Sequence, residues 1–353
     1  MATNDDVVRA RWLAEAGSVA REAGDIKESR RTCEEALEIR KRLADSPSSG
    51  LQQRHQLADS FEMLGDVSRD AGDNQAAKVA FEESLKIRRT LVGLKPDFVD
   101  WRRDLCVTYN KVGNTLRDDN NLVAANQCFK LAIKEREEIL ETAPNNPRFL
   151  RDLAISYNIL GDSLSDETSH SEAETYYNKS HQIRERLSTS DAGNARWRRD
   201  FAISLAKLGE TARVLGRLDD ARDLLERSIE ISSSLAARDK RNARWQHDLC
   251  LGFQRLGRVF QDQREFLAAH DVYSKAFTIS SALHRREPQN LWFIWATSEC
   301  GSILALLRIG MSARDLEFES EVRGVIRKGL ASPNLATKWK ARFEAAMAAL
   351  PGS

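Results

Sequence analysis

The chain has 353 residues, with 54 Lys plus Arg against 53 Asp plus Glu, and is 30% charged and 41% hydrophobic. That near balance of charge supplies no pull towards nucleic acid or an anionic membrane, and no apolar run approaches the roughly 20 residues that a membrane-spanning helix needs. The start, MATNDDVVRARW, is acidic and then amphipathic, without the basic segment and apolar core of a signal peptide, so a cytoplasmic protein with neither a nucleic-acid nor a membrane partner is expected.

Residues 1–8 read as a leader, with Asn4, Asp5 and Asp6 as an N-cap and acidic first turn. One unit then recurs. Gly17, Gly65, Gly113, Gly161, Gly209 and Gly257 stand 48 residues apart. Twelve residues after each comes a small residue, such as Ala77 or Ala221, and four further on a large one, such as Phe81, Phe129, Tyr177 or Tyr273. Trp101, Phe149, Trp197, Trp245 and Phe293 hold the same step upstream of the glycines, as do Asn146, Asn194, Asn242 and Asn290.

Each unit predicts two helices. In the fifth, Phe201, Leu205, Leu208 and Ala212 share one helical stripe, and Ala221, Leu224, Leu225, Ser228, Ile231 and Leu235 share another. A turn at Gly216 separates them, and Asp219 or Asp220 is placed to cap the second helix. Gly209 and Ala221 allow the two helices to approach closely. A single pair cannot bury its stripe alone, so the pairs must stack. The six pairs fall at about 9–45, 52–93, 100–142, 148–189, 196–237 and 244–285. SPSSG (46–50) is a loop, and the turn of the fourth pair, SDETSHS, lacks glycine.

After Pro288 the phase fails, with Ala305 where a glycine is expected. Residues 286–353 read as a degenerate seventh repeat, with helices at 289–309 and 313–330, and a capping helix. That last helix opens at Ser332-Pro333-Asn334 and carries Trp339, Phe343, Met347 and Leu350. Trp292, Phe293 and Trp295 are the densest aromatic cluster, which suits core and also suits a docking site or self-association where the array ends.

The small and large residues at Leu64-Gly65, Ala77, Phe81 and Ser84 resemble the tetratricopeptide repeat, in a long-helix variant with 48 residues instead of the usual 34. The resemblance covers roughly 9–285. It implies an all-α, right-handed superhelical solenoid whose first helices line a concave protein-binding surface. By that resemblance, the exposed positions of the first helices include Glu62, Asp66, Asn110, Lys111, Asn114, Asn158, Asp162, Lys207, Arg213, Arg255 and Arg258. They grade from acidic through amide-rich to basic, which would complement an extended peptide that is acidic where it meets repeats five and six. Lys111, Asn114 and Asn158 match parts of the family's carboxylate clamp, but the full clamp pattern is absent.

The expected function is a non-catalytic scaffold or adaptor that binds a peptide or partner domain and uses no cofactor or metal. A sensor arm acting in trans on a signalling enzyme is the alternative. No Ser/His/Asp arrangement, HExxH or phosphate-binding glycine loop occurs. His247 and Cys250 could share a metal in a third, enzymatic reading, but two ligands make an incomplete zinc site. The five cysteines all occupy packing columns and read as core. Asp104, Asp152, Asp200 and Asp248 form a further column, as do Arg40, Arg88, Arg136 and Arg184, replaced later by Ser232 and Ser280. These read as ion pairs or caps between neighbouring repeats.

Overall fold

The structure, a computed structural model, describes residues 4–46, 49–311, 315–332 and 337–350. Within them are fifteen helices, and no strand is found among the described residues. Two compact units divide the chain, one up to Ser180 and one from His181 onward. The first holds α1 (Asn4–Glu22), α2 (Ile26–Asp45), α3 (Leu51–Asp70), α4 (Asn74–Leu94), α5 (Val99–Asp118), α6 (Leu122–Thr142), α7 (Pro147–Asp166) and the start of α8 (His170–Ser190). The second holds the rest of α8, then α9 (Ala195–Val214), α10 (Leu218–Arg238), α11 (Ala243–Asp262), α12 (Phe266–Arg286), α13 (Leu291–Gly310), α14 (Leu316–Leu330) and α15 (Thr337–Ala349).

Helix α1 takes in residues 4–8, set apart above as a leader, because Asp5 and Asp6 suit its positive N-terminal end. Residues 1–3, 47–48, Pro333, Asn334 and the side chain of Trp339 lie outside the described residues.

Each pair closes on a glycine. A Cβ on Gly65 would lie 2.5 Å from the Phe81 ring, and one on Gly161 or Gly257 would lie 2.6 Å from Tyr177 or Tyr273. Gly113 faces Phe129 in the same way. Phe81, Phe129 and Tyr273 are wholly buried there. The large residue thus lies flat over bare backbone, which a side chain would prevent. A hydroxyl adds a second tie between the helices of a pair. Ser84, Ser180 and Ser228 donate to the carbonyls of Ala58, Ala154 and Ala202.

The turns repeat as strictly as the core. Gly24, Gly72, Asn120, Thr168, Gly216 and Arg264, each 48 residues apart, all have φ between 60° and 82°. The next residue caps the second helix where its side chain can, as Asp25, Asp73 and Asn121 do by accepting from Glu28, Ala76 and Ala124 N–H groups. In the fifth pair this cap position is Arg217, which makes no cap bond. Asp219 and Asp220 lie in the first turn, two and three residues too late to cap it, and Asp219 instead accepts from Gln263. Among the first helices, Asn146, Asn194 and Asn242 are the N-caps.

The seventh pair shifts by one helical turn. Ala305 replaces the expected glycine, and Gly301 takes over the close approach, where a Cβ would lie 2.6 Å from Val322. Helix α15 then covers the end of the second unit. Phe343 is fully buried against Gly329 and shares a core with Ile294, Ala305, Val322 and Ile326.

Candidate functional site

Most of the first-helix residues singled out above are engaged within the array. In the first unit, Lys111 lies 2.9 Å from Glu62 and 2.6 Å from Asp66, and Arg21 also reaches Asp66. Arg88, only 4% exposed, pairs with Asp59, Glu62 and Asp104. The acidic end of the charge gradient is therefore a closed network. Asn110 and Asn158 are buried, and Asn110 donates to Ser156 at 3.4 Å. Asp162 accepts the Tyr177 hydroxyl at 2.6 Å, and burial with this carboxylate raises the tyrosine pKa. Asn114 is half-buried.

In the second unit, Arg213 is held by Glu210 at 2.9 Å and Asp262 at 2.7 Å, and Arg258 by Glu299 at 2.9 Å. Burial opposes the Arg258 charge, but Glu299 and Glu210 more than offset it, so its pKa is raised. Lys207 and Arg255 are half-buried. The structure thus spends much of the predicted basic end on internal carboxylates.

The Asp column joins first helices to one another. Arg103 holds Asp152 at 3.0 Å, Arg199 holds Asp248 at 2.9 Å and His55 contacts Asp104 at 2.8 Å, each across 49 residues. The aromatic column rests on the same residues, with Trp101 stacked on His55 and Phe149 under Arg103. Three members of the Arg column of the second helices point elsewhere, to backbone carbonyls, while Arg88 joins the Asp column at Asp104. Arg40, Arg136 and Arg184 donate to the carbonyls of Gln56, Asp152 and Asp200.

A recess remains on α11, α13 and α15. His247, Arg255, Arg258, Trp292, Trp295 and Arg342 surround a cavity of about 260 Å³, with Glu299 beside them. Trp292 is 53% exposed, whereas Phe293 is core. Trp295 packs edge-on against Phe343 and carries the Arg342 guanidinium 5.6 Å above its ring. Burial lowers the His247 pKa, which keeps the ring neutral near pH 7. Arg342 had no signal in the sequence, because α15 lies outside the 48-residue phase.

Four of the cysteines are buried and Cys128 is partly so, all as free thiols. His247 and Cys250 face different neighbours. The His247 ring tilts against Phe293, and the Cys250 thiol donates to the Ala276 carbonyl at 3.4 Å, beside Cys300. Among the described residues, no three His, Cys, Asp or Glu side chains group as a metal site would require.

The tetratricopeptide-repeat sequence profile matches residues 57–100, which span the second half of α3, all of α4 and the start of α5. That segment holds the Gly65–Phe81 closure shared by the other pairs. The pair at 57–100 is similar to the tetratricopeptide repeat, and the other pairs share its glycine closure. The array is similar in fold to BtubC (BKLC) from P. vanneervenii, at 19% identity and TM-score 0.57, over 73% of this chain and 92% of that one. It also resembles a point variant of a Podosopora anserina putative kinesin light chain (14%, TM-score 0.50, 66% and 97% covered) and apo RapI (14%, TM-score 0.50, 83% and 98% covered). No curated protein matches the chain by sequence. Among the described residues, no helix is long and apolar enough to cross a membrane.

Proposed function

We propose that the chain is a non-catalytic interaction module that holds a peptide of a partner protein on the first-helix side of its second unit. The observation that carries this reading is the recess of α11, α13 and α15. A half-exposed tryptophan and three arginines stand together there, a combination enriched at binding hot spots. Elsewhere on the first helices, ion pairs between repeats occupy most of the polar groups.

The chemistry favours an acidic peptide with a large apolar side chain. Three guanidinium groups (Arg255, Arg258, Arg342) and one carboxylate (Glu299) are among the side chains that line the recess. The apolar residue would lie on Trp292, and a carboxylate would compete with Glu299 for Arg258. This reading moves the acidic partner expected at repeats five and six to repeat six and the seventh pair.

The test is capture of partners from source-cell lysate by the full chain, beside a Trp292→Ala/Arg342→Glu variant of unchanged thermal stability. A protein bound by the wild type and lost by the variant supports the recess. Equal retention by both rules it out, and capture of the chain's own copies points to self-association.

A further inference from the structure

Four seams between one helix pair and the next hold an arginine from the second helix. Arg40, Arg136 and Arg184 each donate to the carbonyl sixteen residues ahead, at 3.0, 2.7 and 3.0 Å. Arg40 and Arg136 also donate to the hydroxyls of Ser60 and Ser156. Arg88 sits at the same place, and its Nε donates to Ser84 at 3.3 Å.

Forty-eight residues after Arg184 the chain has Ser232 instead. Two facing positions shrink with it. Gly252 replaces the hydroxyl residue of Ser60, Thr108, Ser156 and Ser204, and Ala206 replaces Glu62, Asn110 and Asn158. A cavity of about 170 Å³ results, bounded by Ala206, Ser228, Ser232, Trp245, Asp248 and Gly252 among others. At the following seam the arginine is also lost, to Ser280. There Gln254 and Cys300 stand in place of Ala206 and Gly252, and Gln254 donates to the Cys300 sulfur at 3.0 Å. Loss of the arginine is compensated from within at that seam and left open at Ser232.

Of the groups that serve an arginine in the other seams, the carbonyl sixteen residues ahead and the second-helix hydroxyl are still present, while the hydroxyl of Ser60 and Ser156 is lost at Gly252. The Asp248 backbone lies sixteen residues ahead of Ser232, and Ser228 is the counterpart of Ser84. Arg199 holds the Asp248 carboxylate as Arg103 holds that of Asp152. Beside that second pair the protein buries the Arg136 guanidinium, 7% exposed, so a cation next to an Arg–Asp pair is tolerated in this setting. An unfilled cavity among packed helices is destabilising, and a ligand of matching shape and polarity recovers that loss.

We propose that this cavity seats an alkylguanidinium group, either the arginine side chain of a partner or a free arginine-type molecule. The ligand completes the seam as Arg40, Arg88, Arg136 and Arg184 complete theirs. Its aliphatic stem lies along Ala206 and Trp245, and its head donates to the Asp248 carbonyl and the Ser228 hydroxyl. The seat shares only Leu251 and Arg255 with the aromatic recess, and an empty recess would leave it standing.

Thermal melting and calorimetric titration of the full chain with propylguanidinium test the proposal, with propylurea as the neutral counterpart. The expected result is a saturable rise in Tm for propylguanidinium, binding at least tenfold tighter than propylurea, and loss of both effects in Ser232→Arg. Ala206→Asn, the residue found at Asn110 and Asn158, narrows the seat from the opposite wall and gives the same loss if Ser232→Arg fails to fold. Tighter binding of Nα-acetylarginine amide than of free arginine assigns the seat to a side chain within a partner, and the reverse assigns it to a free molecule. No saturable effect on the wild type, equal binding of propylurea, or binding unchanged in the folded variants overturns the proposal.

Discussion

Arg136 on α6 donates a 2.7 Å hydrogen bond to the main-chain carbonyl of Asp152 on α7, while Arg103 holds the Asp152 carboxylate from α5. One residue therefore receives two arginines, one through its backbone and one through its side chain. The backbone bond is indifferent to the acceptor's identity, which is why Arg40 makes the same bond to Gln56. Burial lowers the Arg136 pKa, and Asp152 works to hold its charge.

Removing that guanidinium takes one donor from both the Asp152 carbonyl and the buried Ser156 hydroxyl. Arg136→Met keeps the stem but not the bonds, and should cost about 3 kcal/mol. Arg136→Lys should recover less than half of this, because both bonds come from the terminal Nη1 and the shorter lysine stem falls short of that position. Urea melts of the full chain check both values, and full recovery by Lys would show that charge alone suffices.

Gly65→Ala drives a methyl group into the Phe81 ring and should cost about 2 kcal/mol. Phe81→Leu in the same chain should return less than half, since a Cβ on Gly209 would still lie 2.8 Å from Leu225 in the fifth pair. A double-mutant cycle measures the coupling, and additive losses would mean that the two residues do not share the contact.

At the turns, Thr168 carries a β-branched side chain at φ 64°. Thr168→Gly should stabilise the chain by about 1 kcal/mol, because an L side chain is disfavoured there. Arg217→Asp supplies the cap that Asp25 and Asp73 provide in their pairs, and should add about 1 kcal/mol. Both gains should appear as higher Tm and slower hydrogen exchange in the adjoining turns.

Burial lowers the pKa of His181 and His247 below the ordinary 6.5. The carboxylates of Glu185 and Asp248 oppose this, and Arg184, Arg227, Arg199 and Arg255 reinforce it. The folded chain keeps both rings neutral where the unfolded chain protonates them. Their contribution is intact above about pH 6.5 and is lost as pH falls from there through the lower pKa of the folded chain. Melting at pH 7.5 and 5.5 should show a drop that His181→Gln/His247→Gln reduces. An equal drop in the variant would place the acid sensitivity elsewhere.

The fold was legible because packing repeats. Gly65 needs Phe81 and Gly161 needs Tyr177 for the same steric reason, so the requirement recurs at a fixed step. The candidate site was less legible. Glu62, Asp66, Lys111, Arg213 and Arg258 were placed on the first helices by their position within one repeat, yet their ion-pair partners lie 41 to 49 residues away in the next. The 49-residue spacing of Arg103 to Asp152 and Arg199 to Asp248 carried that information. The Asp219 and Asp220 cap failed by two or three residues, because the turn ends at Arg217. Arg342 joined the recess through α15, a helix with no counterpart elsewhere in the array.

Hydrogen–deuterium exchange on the full chain, with and without its captured partner, tests most directly whether binding occurs at the recess. Protection should appear at 243–262, 291–310 and 337–349, with α3 and α5 unchanged. Protection confined to α3 and α5, with the recess helices exchanging as before, would contradict the account.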